Sequence, residues 1–223
     1  MHRHIALLVA LAACGGAAPA ATQANAAPQQ VASDSAARLL LAELPGSIRQ
    51  QVGYATSHNF TGAPLPGYGV PIALLRREAA TALGRVQTAL AGQGLGLKVF
   101  DGYRPVRATL GMVAWCERVG RVDLLDDGYI ARRSRHNQGV AVDLTLIDLA
   151  TGAELDMGTP WDTFDKAAHT ANATGAVARR RALLVGAMAA EGFVNYENEW
   201  WHFSFDVADP VPFDLPLESW NRH

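Results

Sequence analysis

The first half of the chain alternates between helical and extended hydrophobic patterns. Across residues 72–90, apolar residues recur every three or four positions, which predicts a helix that ends at Gly92. Residues 95–100 alternate in the manner of a short strand. Pro105 suits the first turn of a further helix, which we expect to reach about Val119.

The second half adds strands around one more helix. Residues 140–149 and 200–205 are expected to be strands, with residues 154–157 forming a partner strand after a turn. Residues 174–191 carry a helical pattern. This order of elements predicts an α+β fold, a single domain whose mainly antiparallel central sheet is flanked by helices.

The N-terminal segment has the layout of a secretory signal. A weakly basic head precedes the apolar run of residues 5–13, which is far shorter than the ~20 residues that a spanning helix needs. We therefore assign residues 1–26 to a signal peptide, followed by a tether to about residue 35, and residues 36–223 to the folded domain. The protein is expected to be exported, with the periplasm as its location.

Two routes of processing remain open. Residues 11–15, Leu-Ala-Ala-Cys-Gly, resemble the bacterial lipobox, in which a lipidated Cys14 would anchor the protein to the outer membrane. Ordinary cleavage after residues 24–26, Ala-Asn-Ala, would instead release a soluble product. In either case Cys116 has no partner for an intramolecular disulfide, and it is expected to be a buried, small apolar residue.

Composition narrows the class of protein further. Hydrophobic residues make up 49% of the 223 residues, which is ample for one packed core. The formal net charge is −2, so we expect no basic face for nucleic acid. No protein partner is indicated.

A first group of polar residues surrounds the start of the strand predicted at residues 140–149. Strand alternation puts Asp143 on the face opposite the apolar residues, with the small Ala141 beside it. Gly139 allows a sharp turn, so His136 can fold back toward Asp143. An imidazole and a carboxylate that converge in this way are suitable ligands for zinc.

A second group lies at the last predicted strand. His202 faces away from Trp201 and Phe203, whereas Glu199, three residues earlier, must sit in a turn or bulge to share a site with His202. The odd spacing of Glu197 from His202 makes it a poorer candidate for the base than Glu199.

Together the two groups offer an open metal site. His136, Asp143 and His202 supply three ligands and leave a fourth position for water, which is the catalytic arrangement of zinc. One Zn²⁺ per chain would lower the pKa of that water to ~7. Glu199 could move its proton, and Arg104 could stabilise an oxyanion.

The pattern alone also fits simpler readings. The His–Asp pair could be a surface hydrogen bond, and Trp-Trp-His could be core aromatics beside a satisfied histidine. Arg104 could form a structural salt bridge with Asp101. The helical His-Glu-x-x-His signature of many metalloproteases is absent from the sequence.

Five separated segments, in order, resemble the D-alanyl-D-alanine metallopeptidases, and within them the VanX-type D-Ala-D-Ala dipeptidases. The core of the resemblance is Ser-x-His-x-x-Gly-x-Ala-x-Asp followed much later by Glu-x-x-His. The segments are residues 54–62, 101–105, 134–146, 156–162 and 199–202.

The roles that the resemblance implies are the same as those inferred from the residues themselves. It makes His136, Asp143 and His202 the zinc ligands, Glu199 the general base and acid, and Arg104 the stabiliser of the transition state. The implied reaction is the hydrolysis of D-alanyl-D-alanine to two D-alanines.

The resemblance also implies contacts with the substrate that spacing could not indicate. Tyr54 and Asp162 correspond to residues that hold the free amine of the dipeptide, and Ser134 to a residue that contacts its backbone or carboxylate. An exported enzyme would serve the turnover of cell-wall dipeptide. The alternatives are a D,D-carboxypeptidase or endopeptidase acting on peptidoglycan stem peptides, and a wall-binding module without activity.

Overall fold

The computed structural model describes residues 30–220. The signal peptide, Cys14 and its processing therefore lie outside the described residues. Within residues 30–220, no helix combines the length and the apolar character that crossing a membrane would require.

Five α-helices and four short 3₁₀ helices are found among the described residues. The helix expected at residues 72–90 begins at Arg77, because the residues before it form a buried strand instead. The buried face of this helix includes Leu83, Val86 and Leu90, as the pattern predicts. The α-helices are α1 (Asp34–Leu40), α2 (Arg77–Ala91), α3 (Val106–Val119), α4 (Asp123–Asp126) and α5 (Gly175–Ala189), and the 3₁₀ helices are Gly53–Ala55, Arg135–Gln138, Lys166–Ala168 and Leu217–Ser219.

The strands form a central five-stranded sheet and a separate two-stranded ribbon. The order in the central sheet is β2-β4-β5-β7-β6, in which only the edge pair β2–β4 is parallel, and β1 pairs with β3 in the ribbon. The strands are β1 (Leu41–Glu43), β2 (Arg49–Gln50), β3 (Leu74–Arg76), β4 (Leu95–Asp101), β5 (Ala141–Asp148), β6 (Phe193–Asn195) and β7 (His202–Phe205). The α+β class and the mainly antiparallel sheet are confirmed.

Two of the predicted strands were wrong in extent. Residues 154–157 contribute a single bridge, from Glu154 to Ile147, because the chain leaves the sheet after that point. β7 begins at His202 rather than at residue 200, because the backbone N–H of Trp200 donates to the carbonyl of Ala168 in a neighbouring loop.

The central strand β5 organises the core. All of its residues from Ala141 to Ile147 are buried, since helices and loops cover both faces of the sheet. Cys116 on α3 is fully buried and free, as expected for a small apolar residue. The polar residues that share this burial are concentrated at one end of β5.

Candidate active site

Backbone register brings the predicted metal ligands together. Asp143 on β5 lies directly opposite His202 on β7. His136 reaches them from the 3₁₀ helix Arg135–Gln138, which ends at Gly139 with φ 67°. A Cβ atom at Gly139 would lie 2.5 Å from Leu41, so glycine is needed both for the left-handed turn and for the close packing.

The three side chains form a set that fits a metal ion. The distances are 2.9 Å from His202 Nδ1 to Asp143 Oδ1, 3.3 Å from His136 Nε2 to the same oxygen, and 3.2 Å between the two imidazole nitrogens. Ligands about 2.0–2.1 Å from a tetrahedral zinc lie about 3.4 Å apart, which is close to these separations. The donor set of two imidazoles and a carboxylate therefore suits zinc in both chemistry and spacing.

The orientation of the His136 ring is fixed by a hydrogen bond at the ring nitrogen that does not face Asp143 and His202. Its Nδ1 lies 2.7 Å from the carbonyl oxygen of Gly102, which can only accept a hydrogen bond. Nδ1 must therefore carry the proton, and Nε2 presents its lone pair toward Asp143 and His202. The tautomer required of a metal ligand is built into the fold.

The centre of the site concentrates negative charge. Burial, then the neighbouring Asp143, raise the pKa of Asp162 well above its usual range. Burial, then Asp143 and Asp162, raise the pKa of Glu199 in the same way. For Asp143 itself, burial would raise the pKa, but His136 and His202 together hold it below its usual value. A cation at this place would relieve the repulsion among the carboxylates.

Arg104 faces the site and also forms the salt bridge that the simpler reading predicted. Its Nε and Nη2 donate to Asp101 Oδ2 at 3.0 and 2.8 Å, and Tyr68 donates to the other oxygen of Asp101 at 2.5 Å. Nη2 also lies 3.9 Å from Asp143 Oδ2. The buried Asp101 thus holds the guanidinium beside the predicted metal ligands. The structural salt bridge is present, and the role of Arg104 toward an oxyanion stays a prediction.

Tyr54 and Asp162 form a second group of polar side chains in the site. The hydroxyl of Tyr54 donates to both carboxylate oxygens of Asp162, each at 3.0 Å. Burial, then Asp162, raise the pKa of Tyr54 well above its usual value, so the phenol stays protonated as the donor. Asp162 has φ 59°, a left-handed conformation that aspartate tolerates better than most residues.

Glu199 sits in the turn before β7, as its spacing from His202 required. Its side chain is buried, and Oε2 lies 3.8 Å from His202 Nδ1. Glu197 is exposed, and its backbone carbonyl accepts a hydrogen bond from Thr170. The geometry therefore favours Glu199 over Glu197 as the carboxylate of the site.

A single cavity of about 300 Å³ collects all eight residues singled out from the sequence. Ser134 caps the 3₁₀ helix that carries His136, with its Oγ accepting the N–H of His136 at 3.2 Å. The individual roles of the eight residues stay predictions. The eight are Tyr54, Arg104, Ser134, His136, Asp143, Asp162, Glu199 and His202.

Sequence reasoning missed the aromatic lining of the same cavity. Phe60, Tyr129, Phe164 and Tyr196 line it, and they come from four separate loops. No periodicity links them, so the pattern carried no signal. The part played by Tyr68 was also missed, although Asp101 was recognised as a partner of Arg104.

Comparison with known proteins finds relatives that match over most of the chain. The peptidase M15 family, described as D-ala-D-ala dipeptidase, matches residues 34–212. A D-alanyl-D-alanine dipeptidase of Streptomyces coelicolor is 37% identical over 78% of this chain and 95% of its own length. Those of Enterococcus faecalis and Escherichia coli are 35% and 32% identical over 78% and 81% of this chain, and 93% and 90% of their own lengths.

These matches extend over the region that contains the cavity, from Tyr54 to His202. The protein is therefore a peptidase, and the chain belongs to the peptidase M15 family.

Proposed function

We propose that this protein is a zinc-dependent dipeptidase that hydrolyses D-alanyl-D-alanine to two D-alanines. The observation that carries the proposal is the convergence of a three-ligand metal set, a buried glutamate, an arginine and a separate buried aspartate in one cavity. The similarity to dipeptidases over most of the chain supports the choice of substrate.

His136, Asp143 and His202 would hold the zinc ion. When bound there, zinc lowers the pKa of a water ligand to about 7 and polarises a carbonyl group. Glu199 takes a proton from the attacking water and delivers it to the nitrogen of the leaving amine. The desolvated carboxyl of Glu199 is suited to both directions of transfer, because burial raises its pKa above the usual range and makes its protonated form easier to reach.

Arg104 stabilises the negative charge that develops on the oxygen of the scissile carbonyl. Its guanidinium is held rigidly by Asp101 before substrate arrives, so little reorganisation is needed in the transition state. The Nη1 atom, whose partner is the weakly accepting sulfur of Met112 at 3.4 Å, has donor capacity left for the substrate.

Other residues of the cavity would hold the ends of the dipeptide. Asp162, with its oxygens aligned by Tyr54, binds the free ammonium group of the substrate. Ser134 contacts the backbone or carboxylate. Because an ammonium neutralises Asp162 and an amide does not, the enzyme should prefer a dipeptide with a free N-terminus.

A substrate series tests the proposal directly. Zinc-loaded protein should release D-alanine from D-Ala-D-Ala much faster than from its N-acetyl form or from a stem pentapeptide. Preference for the longer peptides, together with indifference to Asp162→Ala, would instead favour a D,D-carboxypeptidase or endopeptidase. Intact D-Ala-D-Ala after incubation with the metal-replete protein would contradict the proposal.

The role of Glu199 has a matched control in the same turn. Glu199→Ala should lower kcat by about 10²–10⁴-fold, because the proton transfer loses its carrier, while zinc content is unchanged. Glu197→Ala removes an exposed carboxylate two residues away and should leave kcat unchanged. Equal effects of the two variants would remove the basis for choosing Glu199.

The setting of the reaction is a further part of the proposal. The apolar run of residues 5–13 supports export to the periplasm, either as a lipoprotein anchored through Cys14 or as a soluble product. An exported dipeptidase would act in the turnover of wall-derived dipeptide. The intact mass of the mature protein distinguishes lipidated Cys14 from cleavage after residue 26.

A further inference from the structure

The two oxygens of the Asp101 carboxylate have different partners. Arg104 donates from both Nε and Nη2 to the same oxygen, Oδ2, at 3.0 and 2.8 Å. The hydroxyl of Tyr68 donates to the other oxygen, Oδ1, at 2.5 Å. A guanidinium and a carboxylate frequently pair through two parallel hydrogen bonds, one to each oxygen. Here Tyr68 occupies the oxygen that the second of those bonds would use.

Burial makes this division of partners matter. Asp101 has no exposed surface, and Tyr68 and Arg104 are buried as well. Burial, then the neighbouring Asp101, raise the pKa of Tyr68 well above its usual value, so the phenol stays protonated as the donor. Removing the hydroxyl would take away the hydrogen bond to a buried carboxylate oxygen, which is unfavourable. We expect the carboxylate then to turn and offer Oδ1 to Arg104.

We propose that Tyr68 is a positioning residue that fixes the carboxylate of Asp101 and thereby sets the position of the Arg104 guanidinium. In the arrangement that Tyr68 imposes, Nη1 of Arg104 is left with the sulfur of Met112, a weak acceptor at 3.4 Å. A carboxylate that paired through both oxygens would draw the guanidinium into a different position. The inference rests on the proposed function, in which Arg104 stabilises the oxyanion.

The ring of Tyr68 makes a separate contact, with Tyr54. The two ring centroids lie 5.8 Å apart in an edge-to-face arrangement, and the hydroxyl of Tyr54 holds Asp162. Tyr68→Phe removes the hydroxyl and keeps this ring contact, whereas Tyr68→Leu removes both. The hydroxyl should therefore affect kcat through Arg104, and the ring should affect KM through Tyr54.

Tyr103 provides a matched control. It is also fully buried, directly precedes Arg104 in the chain, and donates its hydroxyl to the backbone carbonyl of Leu215 at 3.0 Å. Tyr103→Phe thus removes a buried, hydrogen-bonded hydroxyl of the same kind without touching Asp101. Any loss caused only by removing such a hydroxyl should appear in both Tyr→Phe variants.

Tyr68→Phe should lower kcat for D-Ala-D-Ala by about tenfold and leave KM and zinc content unchanged, because a displaced guanidinium stabilises the transition state less well. Tyr68→Leu should lower kcat to the same extent and also raise KM. Tyr103→Phe should retain the wild-type kcat, and thermal unfolding checks that each variant is folded. Wild-type kcat in Tyr68→Phe, or an equal loss in Tyr103→Phe, would overturn the inference.

A double-mutant cycle tests whether Tyr68 acts through Arg104. Lysine has no fork of donors, so the division of the Asp101 oxygens should no longer matter in Arg104→Lys. Adding Tyr68→Phe to Arg104→Lys should then change kcat by less than about twofold. If the tenfold loss persisted in that background, Tyr68 would not be acting through the guanidinium, and the inference would be wrong.

Failure of the proposed function would look different. If the zinc-loaded wild-type protein does not hydrolyse D-Ala-D-Ala, the dipeptidase proposal is wrong. Crystal structures of the wild type and of Tyr68→Phe then test the positioning role without an assay. Pairing of Arg104 with both oxygens of Asp101 in the variant supports the inference, and any other arrangement in the variant overturns it.

Discussion

The metal side and the substrate side of the cavity, so named for their proposed roles, are built by different means. On the metal side, Asp143 and His202 are paired residues of adjacent strands, so the hydrogen bonds of the sheet set their separation. On the substrate side, Tyr54 lies in a short 3₁₀ helix and Asp162 in a loop. The metal side is therefore positioned by backbone register, and the substrate side by packing between side chains.

On the substrate side, aromatic stacking rather than strand pairing positions the side chains. Trp161 stacks on Phe100 with ring centroids 5.2 Å apart, and its ring lies 4.8 Å from that of Tyr54. Because Trp161 directly precedes Asp162, these contacts hold the carboxylate in place. The comparison suggests that ligand identity should decide metal binding, whereas packing around Trp161 should decide substrate affinity.

The largest expected effect comes from breaking the metal side alone. His202→Ala removes one of the three proposed ligands, so we expect zinc binding to be lost and activity to fall by at least about 10³-fold. Zinc content and kcat together measure this. His58→Ala is the control, because His58 is exposed outside the cavity lining and should retain both. A His202→Ala protein that retained stoichiometric zinc would disprove the assignment.

Arg104 connects the two sides, and replacing it by lysine should have the next largest effect. The guanidinium contacts Asp101 through two donors and lies 5.1 Å from the ring of Tyr54. Lysine keeps the charge but has no fork, so we expect kcat to fall by about 10²-fold while zinc content is unchanged. Wild-type kcat in this variant would show that charge alone is sufficient.

A smaller effect should follow from disturbing only the substrate side. A Cβ atom at Gly53 would lie 2.7 Å from Cζ3 of Trp161 and 3.0 Å from the carbonyl oxygen of His58. Gly53→Ala should therefore displace Trp161, destabilise the fold by about 1–3 kcal/mol and raise KM by roughly tenfold, without loss of zinc. KM, thermal unfolding and zinc content measure the three effects.

Gly46→Ala provides the control for Gly53→Ala. No atom lies within 4 Å of the Cβ position at Gly46, so the added methyl meets open space. This variant should retain the wild-type KM. If Gly53→Ala lost zinc as readily as His202→Ala does, the two sides of the cavity would not be independent.

The same contrast explains what could be predicted from the sequence. Strand alternation and one glycine made the convergence of His136, Asp143 and His202 an expectation, because the period of a strand fixes which face a side chain occupies. The pairing of β5 with β7, which brings Asp143 opposite His202, had no signal in that pattern. Asp162 was available only through the family resemblance, since its left-handed backbone and its pairing with Tyr54 obey no period.

The errors in the predicted fold have a similar origin. The apolar spacing of the residues before Arg77 matched a helix, yet Leu74–Arg76 pairs with β1, because tertiary pairing overrides a short local pattern. The parallel edge pair β2–β4 joins segments far apart in the chain, and nothing local in two-residue β2 indicates it.

The smallest expected effect concerns the stability of the substrate side and its dependence on pH. Burial, then Asp143, raise the pKa of Asp162 in the folded protein above the unfolded value of ~3.9. The folded state therefore binds more protons between those two pKa values, and its stability falls as pH rises through that range. Asp162→Asn removes this loss and keeps an acceptor for the hydroxyl of Tyr54.

We expect chelator-treated Asp162→Asn to be more stable than the wild type at neutral pH by on the order of 1 kcal/mol, or about 2–4 °C in Tm. The gain should shrink as the pH falls and vanish below about pH 3, where the wild-type carboxyl is protonated in both states. Asparagine also favours left-handed backbone, so the control is Asp209→Asn, which is exposed with φ 50°. A gain in stability that both variants share, or one that does not depend on pH, would come from the backbone preference of asparagine. A gain confined to Asp162→Asn at neutral pH would show that the substrate side gives up stability to keep a carboxylate available for a cationic ligand.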